Sequence, residues 1–118
     1  MTLRILARAM TEAELQANVI ELAQALGYAA IHVRDSRRQQ VEGLPDLLLG
    51  RREPPRIIYM ELKREPAGGR HTDLTPWQEL WRDLILGAGN EWYLLRPSDW
   101  LSGQVEHILR AANPKETP

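Results

Sequence analysis

One segment constrains the fold more than any other: Arg56 to Lys63 (R-I-I-Y-M-E-L-K), which is almost wholly apolar until it ends in Glu61 and Lys63. Side chains of a strand point alternately to the two faces of a sheet. A strand that is apolar on both faces therefore predicts a central position, with helices covering the sheet. The apolar run Leu47-Leu48-Leu49, closed by Gly50, precedes this segment and predicts its hairpin neighbour.

Two helices with clear start signals flank these strands. Thr11 and Glu14 form a T-x-x-E capping box, followed by apolar residues at helical spacing up to Gly27, a C′ glycine. Thr75 and Pro76 are the N-cap and N1 residues of the second helix. The apolar residues of this helix recur on one face, which favours core packing over base stacking for its tryptophans. They are Trp77, Leu80, Trp81, Leu84 and Ile85.

The remaining patterns complete an α/β fold. Short strands are predicted at 28–33 and 91–96, and a last helix has Ser98 as its N-cap and runs to about Ala112. The predicted order α-β-β-β-α-β-α is that of a central mixed β-sheet flanked by helices. At 118 residues the chain has room for one core. We expect a single domain over residues 1–112 and a disordered tail over 113–118, which is polar and contains two prolines.

Composition excludes several classes of protein. Without cysteine, the chain has no disulfide and no zinc–thiolate site. No apolar run approaches the roughly 20 residues of a membrane-spanning helix. Arg4 and Arg8 interrupt the short apolar stretch at the N-terminus, which therefore does not resemble a secretory signal. These features predict a cytoplasmic protein without a membrane partner.

The local distribution of charge, more than the net charge of −1, indicates a polyanionic partner. Between residues 34 and 70, nine basic residues outnumber six acidic ones. Arginine binds phosphate through a planar fork, so this surplus is typical of nucleic-acid binding, although a coding bias towards arginine explains it equally well. The candidate phosphate-binding residues are, in order of preference, Arg34, Arg37, Arg38, Arg64 and Arg70.

Charged side chains at the ends of the two central strands carry the chemistry. Pro45-Asp46 is followed after 14 residues by Glu61-Leu62-Lys63. Glu61 and Lys63 point to the same face of their strand, and Asp46 opens the neighbouring strand, so the two carboxylates can meet. Two carboxylates suit Mg²⁺ or Mn²⁺, and a lysine beside them can orient a water molecule or stabilise a phosphate. Either motif alone is an ordinary strand end, but together they predict a metal-dependent phosphodiester hydrolase.

These motifs resemble the VRR-NUC domain family of the PD-(D/E)XK nuclease superfamily. The resemblance covers about residues 11 to 110 and rests on four segments, T-E-A-E-L-Q (11–16), G-L-P-D-L-L-L (43–49), Y-M-E-L-K (59–63) and L-T-P-W-Q (74–78). It implies a restriction-endonuclease-like core and a metal-dependent nuclease that leaves a 5′-phosphate and a 3′-hydroxyl. It implies Asp46, Glu61 and Lys63 as the catalytic trio, and the main-chain carbonyl of Leu62 as a further metal ligand.

The resemblance also implies a glutamate on the first helix and a glutamine after the E-x-K motif. Helical phase places Glu12 on the apolar face of the first helix, whereas Glu14 points away and serves the capping box. Glu12 is therefore the candidate metal ligand, with Gln16 beside it as a candidate DNA contact. An acidic residue in a first turn is also favoured by the helix dipole alone. Gln78, the candidate glutamine, likewise has a structural interpretation as the N3 residue of a capping box.

Short stand-alone members of the family look like homodimeric resolvases of four-way DNA junctions. The resemblance therefore implies an endonuclease of branched DNA, such as a Holliday junction, that acts as a homodimer. Two copies related by a twofold axis would present two cleavage centres to a roughly twofold-symmetric junction. The alternatives are a catalytically silent nucleic-acid- or partner-binding module of the same fold, a sequence-specific duplex endonuclease, and an RNA-directed nuclease. Apolar residues for a dimer interface, or equally for the core, are Trp92, Tyr93, Leu94 and Trp100.

Overall fold

The computed structural model describes residues 2–33, 42–66 and 74–112, and within them it has the α/β architecture that the sequence predicts. Helices lie on both sides of one mixed sheet. In chain order the elements are α1 (Leu3–Ala9), α2 (Glu12–Ala25), β1 (Ala29–His32), β2 (Leu47–Arg51), β3 (Arg56–Leu62), α3 (Pro76–Gly87), β4 (Glu91–Leu95), α4 (Pro97–Leu101) and α5 (Gln104–Arg110).

The four strands lie in the order β1-β2-β3-β4. β2 is antiparallel to both β1 and β3, and β4 runs parallel to β3. β3 thus has a partner on each side, which confirms the central position predicted from its apolar sequence. The register pairs Met60 with Leu47 on one side and with Tyr93 on the other. The start of β2 and the ends of β3 and β4 therefore lie at one end of the sheet.

One face of the sheet forms the main core beneath α2 and α5. Alternate side chains of β2 and β3 point to this face and are buried. They are Leu47, Leu49, Ile58, Met60 and Leu62. The buried residues of the two helices are Leu15, Val19 and Ala23 in α2 and Val105, Ile108 and Leu109 in α5. The helical spacing in α2 predicted this burial.

A short helix that the sequence analysis did not predict, α1, precedes the first capping box. Its N-cap is Thr2, whose hydroxyl accepts a hydrogen bond from the main-chain nitrogen of Ile5. Its buried residue is Ala7. Leu3, Leu6, Ala7 and Met10 recur at helical spacing, but the helix is only about two turns long, and Leu3 and Leu6 stay exposed, so it has no buried stripe.

The C-terminal helix is divided in two. Gly103 has a φ of 88°, in the left-handed region where α-helices commonly end, so α4 ends at Leu101 and α5 begins at Gln104. The N-cap of α4 is Arg96 and not Ser98. The prediction of a single helix that starts after Ser98 is therefore wrong in its start and in its continuity. The left-handed conformation of Gly103 interrupts the helix.

On the second face of the sheet lies α3, which covers only part of that face and has an orientation that differs from the prediction. Ile85 is its buried apolar residue, and Gln78, seven residues earlier and so on the same side of the helix, also faces the sheet. Trp77 is 51% exposed, and the prediction that it packs in the core is wrong. Trp81 is half-buried. The sequence shows which residues of α3 are apolar but not which side of the helix the sheet contacts.

Arg56 is buried at the start of β3 and ties α5 to the sheet. Its guanidinium forms two hydrogen bonds of 2.8 Å with the carboxylate of Glu91. It also donates to the main-chain carbonyls of Ile108 and Ala111, at 2.6 and 2.8 Å. Burial acts to lower the pKa of Arg56, but the Glu91 carboxylate outweighs it and holds the pKa above its ordinary value. Arg56 therefore belongs to the core and not to the basic surface expected between residues 34 and 70.

The aromatic residues considered for a dimer interface are partly buried within the chain. Tyr93 and Trp100 pack against the main core, and Trp92 and Leu94 are half-buried. Among the helices of the described ranges, none combines the length and the apolar composition needed to cross a bilayer.

Candidate active site

Asp46 lies where the chain enters β2 and is held by both neighbouring strands. Its main-chain carbonyl accepts a hydrogen bond of 2.9 Å from the nitrogen of Val33, just beyond β1. Its carboxylate oxygen Oδ2 accepts a hydrogen bond of 2.7 Å from the main-chain nitrogen of Leu62, in β3. A short hydrogen bond from a main-chain N–H to a carboxylate is strong and directional. The position of Asp46 is therefore fixed relative to β3.

Glu61 lies opposite Asp46 in the β2–β3 pair. The register pairs Leu47 with Met60 in an antiparallel pair. Asp46, the residue before Leu47, therefore lies opposite Glu61, the residue after Met60. Opposite residues of antiparallel strands point to the same face of a sheet. Both residues are buried, with 4% and 1% of their surfaces exposed. The structure thus brings the two candidate carboxylates together on the face that α3 covers.

Lys63 and Gln78 form a hydrogen-bonded group with Glu61. The Nζ atom of Lys63 donates to Oε1 of Gln78 at 3.1 Å, and Nε2 of Gln78 donates to Oε2 of Glu61 at 3.3 Å. The amide of Gln78 therefore bridges the cation and the carboxylate of the E-x-K motif. Its orientation follows from its partners, because an amide oxygen accepts and an amide nitrogen donates.

The cap of α3 fixes the position of Gln78. Oγ1 of Thr75 accepts a hydrogen bond of 3.2 Å from the main-chain nitrogen of Gln78, and the nitrogen of Thr75 donates to Oε1 of Gln78 at 2.9 Å. This is the capping box that T-P-W-Q predicts. The same Oε1 atom accepts from Lys63. Gln78 therefore has its structural role in the helix and a contact with the candidate site at the same time.

Gly43 sets the distance between the segment before Asp46 and α3. Its φ is 87°, and a Cβ atom there would overlap the main-chain carbonyl group of Trp77 and lie 2.7 Å from the nitrogen of Gln78. The main chain of G-L-P-D therefore touches the first turn of α3 at the residue that bridges Lys63 and Glu61. This contact could not be predicted from the sequence, because no local pattern links the two segments.

Glu12 is the exposed first residue of α2. Within the described ranges, no three or more His, Asp or Glu side chains are grouped so that they could hold a metal ion. Glu14 forms the capping box with Thr11, and the hydrogen bonds from the main chain and side chain of Thr11 lower the pKa of Glu14. Glu14 is thus engaged in the helix cap, and Glu12 lies outside any preformed three-residue cluster.

The pair of carboxylates fits a hard divalent cation. Asp46 and Glu61 offer the oxygen ligands that Mg²⁺ and Mn²⁺ prefer. Mg²⁺ keeps several of its waters and commonly uses only one or two protein carboxylates, so a third preformed ligand is not required. Two adjacent buried negative charges are costly, and a divalent ion would offset both. The chemistry of these residues therefore matches the cofactor that the motifs imply.

The candidate DNA contacts are only partly within the described residues. Arg64 is exposed and follows Lys63 directly, and Gln16 is half-buried on α2. The other candidates lie outside the described residues: Arg34, Arg37, Arg38 and Arg70.

Comparison with known proteins supports the fold. A solved structure described as a VRR_NUC domain matches with a TM-score of 0.63 and 22% sequence identity, over 84% of this chain and 98% of that one. No family model matches the sequence, and no curated protein matches it. The chain therefore has the fold of that VRR_NUC domain, which confirms the fold class that the motifs imply.

Proposed function

We propose that this protein is a metal-dependent DNA endonuclease that hydrolyses phosphodiester bonds at the site formed by Asp46, Glu61 and Lys63. One observation carries the proposal. Two buried carboxylates and a lysine lie at one end of the sheet, and Gln78 joins the lysine to one of the carboxylates. The VRR-NUC-like motifs imply the same chemistry for these positions.

Each residue has a distinct role in the proposed reaction. Asp46 and Glu61 would hold Mg²⁺ or Mn²⁺, with the main-chain carbonyl of Leu62 and with Glu12 acting directly or through water. When bound, the ion supplies positive charge that stabilises the negative charge developing on the phosphate oxygens. Lys63 orients the attacking water through Nζ. Gln78 holds this Nζ in place through its hydrogen bond of 3.1 Å.

We also propose branched DNA, such as a four-way junction, as the substrate and a homodimer as the active form. A single domain of this size has little surface beyond its site with which to bind a branched molecule, whereas two copies present two sites. Apolar residues remain exposed on the α3 side of the sheet and are available to a second copy. They are Ile31, Ile57, Trp77, Leu80 and Leu84.

The test is cleavage of labelled DNA by the purified protein. A four-way junction, a flap and a plain duplex are each incubated with Mg²⁺, Mn²⁺ or EDTA. We expect cutting of the junction with either metal and none in EDTA. Asp46→Asn and Lys63→Ala should each lower the rate by at least about 100-fold, since a bound metal and its positioned water contribute several kcal/mol.

Glu106→Gln is the matched control for Asp46→Asn. Glu106 is an exposed carboxylate on α5, and its ion pair with Arg110 lies on the surface, so its loss should leave cutting unchanged. Cutting that persists in EDTA or in Asp46→Asn would contradict the proposal. DNA binding without cutting, and without Mn²⁺ binding in a calorimetric titration, would favour a silent binding module. Cutting of one defined duplex sequence in preference to the junction would favour the sequence-specific alternative.

A further inference from the structure

Three arginines from separate parts of the chain are linked, through hydrogen bonds to main-chain carbonyls, beyond the ends of β3 and β4. Arg8 is in the last turn of α1, Arg64 follows β3, and Arg96 follows β4. Nη2 of Arg64 donates to the main-chain carbonyl of Arg8 at 3.1 Å. Nη1 of Arg96 donates to the main-chain carbonyl of Arg64 at 3.0 Å. We call Arg8, Arg64 and Arg96 the arginine patch.

The arginine patch lies at the same end of the sheet as the candidate active site. The main-chain nitrogen of Lys63 donates to the carbonyl of Leu95 at 3.0 Å, so β3 and β4 run side by side up to Lys63 and Arg96. Because neighbouring Cα atoms are about 3.8 Å apart, the Arg96 guanidinium, bonded to Arg64, lies within about 10 Å of the Cα atom of Lys63. One strand of a duplex covers that distance in about three nucleotides.

The carboxylates nearest the patch serve helix ends. Glu14 accepts a hydrogen bond from the nitrogen of Thr11 at 3.0 Å, and the charge of Arg64 also acts on it. Glu65 accepts from the nitrogen of Ser98 at 2.6 Å, and Asp99 accepts from the nitrogen of Arg96 at 2.7 Å. These hydrogen bonds belong to the first turns of α2 and α4, where a carboxylate offsets the helix dipole. The acids therefore have a structural role of their own beside the arginines, of which Arg8 and Arg64 are exposed and Arg96, whose charge acts on Asp99, is half-buried.

Local helix stability does not account for Arg4 of α1, although the helix dipole favours Arg8 in the last turn. Arg4 and Arg8 are exposed and four residues apart, so they lie on one side of the helix and repel each other. Arg4 is also in the first turn, where the helix dipole disfavours a cation. A bound anion would offset this repulsion, and Arg4 would extend the patch along α1.

We propose that the arginine patch binds phosphate groups of the nucleic-acid strand that passes through the candidate active site. This inference rests on the proposed nuclease function and assigns its substrate a binding surface. A guanidinium has five N–H donors in one plane, so the exposed Arg64 can keep its hydrogen bond to a carbonyl and offer others to phosphate, and the charge of Arg96 adds to the attraction. The carbonyl bonds hold these side chains in place, which reduces the entropy lost when phosphate binds.

The test is the salt dependence of DNA binding. Fluorescence anisotropy measures the affinity for a fluorescein-labelled four-way junction in EDTA, which prevents cutting, between about 50 and 200 mM salt. Arg8→Gln, Arg64→Gln and Arg96→Gln should each weaken binding by about 3- to 10-fold and lower the slope of log K against log salt by about 0.9. Arg64→Lys keeps the charge without the planar fork, so it should retain the slope and lose part of the affinity.

Arg110→Gln is the matched control. Arg110 is exposed on α5 and pairs with Glu106 at 2.7 Å, and the end of α5 contacts the start of β3, away from the site. This variant should bind like the wild type. Urea unfolding checks that each variant keeps its fold. If Arg96→Gln fails to fold, Arg8→Gln decides the question, because the contact of Arg8 with Arg64 uses its main-chain carbonyl and survives the substitution.

The outcomes separate this inference from the proposed function. Wild-type protein that binds and cuts, with patch variants that keep the wild-type slope, would overturn the arginine patch and leave the nuclease proposal intact. Patch-dependent binding without cutting in Mn²⁺ would support the patch and overturn the nuclease proposal. Wild-type protein that does not bind the junction would overturn the patch.

Discussion

Gln78 takes part in both the fold and the candidate site. Its side-chain oxygen accepts hydrogen bonds from the nitrogen of Thr75 and from Lys63, and its side-chain nitrogen donates to Glu61. A capping box accepts either glutamate or glutamine at this position. A glutamate here would add a third carboxylate beside Asp46 and Glu61. The helix cap therefore does not require the amide, whereas the hydrogen bond to Glu61 does.

Gln78→Glu should separate these two roles. The introduced carboxylate can still accept from Thr75, as Glu14 does from Thr11, so the free energy of unfolding in urea should change by less than about 1 kcal/mol. The introduced carboxylate cannot donate a hydrogen bond to Glu61, and its negative charge repels that of Glu61. We therefore expect the cutting rate at neutral pH to fall by about 100-fold. The rates of the variant and of the wild type are compared between about pH 6 and about pH 8.

Gln104→Glu provides the control for Gln78→Glu. Gln104 is the first residue of α5, so this variant adds the same charge to a first helical turn away from the site. Its cutting rate should match the wild type across the pH range. A Gln78→Glu protein that cuts at the wild-type rate at every pH would show that Glu61 does not need the amide donor.

At the residue scale, the sequence predicts the contacts that follow from alternation and spacing along adjacent strands. The approach of Asp46 to Glu61 could be predicted in this way, because their strands form one hairpin. The burial of Arg56 could not, because its carboxylate partner Glu91 is 35 residues away. No local pattern distinguishes a buried arginine from a surface one.

At the scale of elements, the decisive contact joins the G-L-P-D segment to the first turn of α3. Gly43 approaches the main chain of Trp77 and Gln78 so closely that a side chain has no room. Main-chain atoms cannot rotate away as a flexible side chain can. The packing of this segment therefore determines how far Gln78 lies from Glu61.

Gly43→Ala should displace α3 from the site. The added methyl group meets main-chain atoms, and the φ of 87° adds the cost of an alanine in the left-handed region. We expect the free energy of unfolding to fall by about 2 to 5 kcal/mol and the cutting rate of the folded protein by tenfold or more. Urea unfolding and single-turnover cleavage well below the unfolding midpoint measure the two effects.

Gly27→Ala is the matched comparison for Gly43→Ala. Gly27 has a similar φ of 92°, but a Cβ atom there would have no heavy atom within 4 Å. Its cost should be that of the left-handed alanine alone, about 1 to 2 kcal/mol, with normal cutting. Equal losses of stability and of activity in the two variants would argue that the contact with α3 does not position Gln78.

Prediction at this scale succeeds where an element has both a start signal and a buried stripe. α2 has a capping box and three buried residues at helical spacing, and its predicted extent is close to the observed Glu12–Ala25. α1 has one buried residue and was missed. For α3 the start was predicted, but Trp77 was assigned to the wrong environment. Amphipathicity identifies an apolar side of a helix without showing how much of that side the sheet will cover.

At the scale of the whole molecule, the two faces of the sheet are covered unequally. α2 and α5 bury the alternate residues of β2 and β3 on one face. On the other face, α3 leaves several large apolar side chains exposed, among them Ile31, Ile57 and Leu84. Apolar side chains exposed together on one side of a soluble domain mark a surface that another molecule covers. The proposed second copy would cover this side.

Light scattering at cleavage concentrations should give twice the mass of one chain. Ile57 is 56% exposed on the α3 side of the sheet, so Ile57→Lys should shift the protein towards the monomer and lower junction cutting in parallel. Ile5→Lys is the control, because Ile5 is 53% exposed on α1, which packs with the helices of the other side. A wild-type protein that cuts junctions as a monomer would contradict the dimer.

The contact of Arg56 with the end of α5 has a consequence for the chain as it leaves the ribosome. β3 is synthesised near the middle of the chain, but its arginine finds carbonyl partners only at Ile108 and Ala111. Until those residues emerge, water hydrates the guanidinium more favourably than the sheet can bind it, and α5 is not yet present to cover its side of the core. We therefore expect the domain to reach its native state in one late event after residue 111 is free, and not strand by strand during translation.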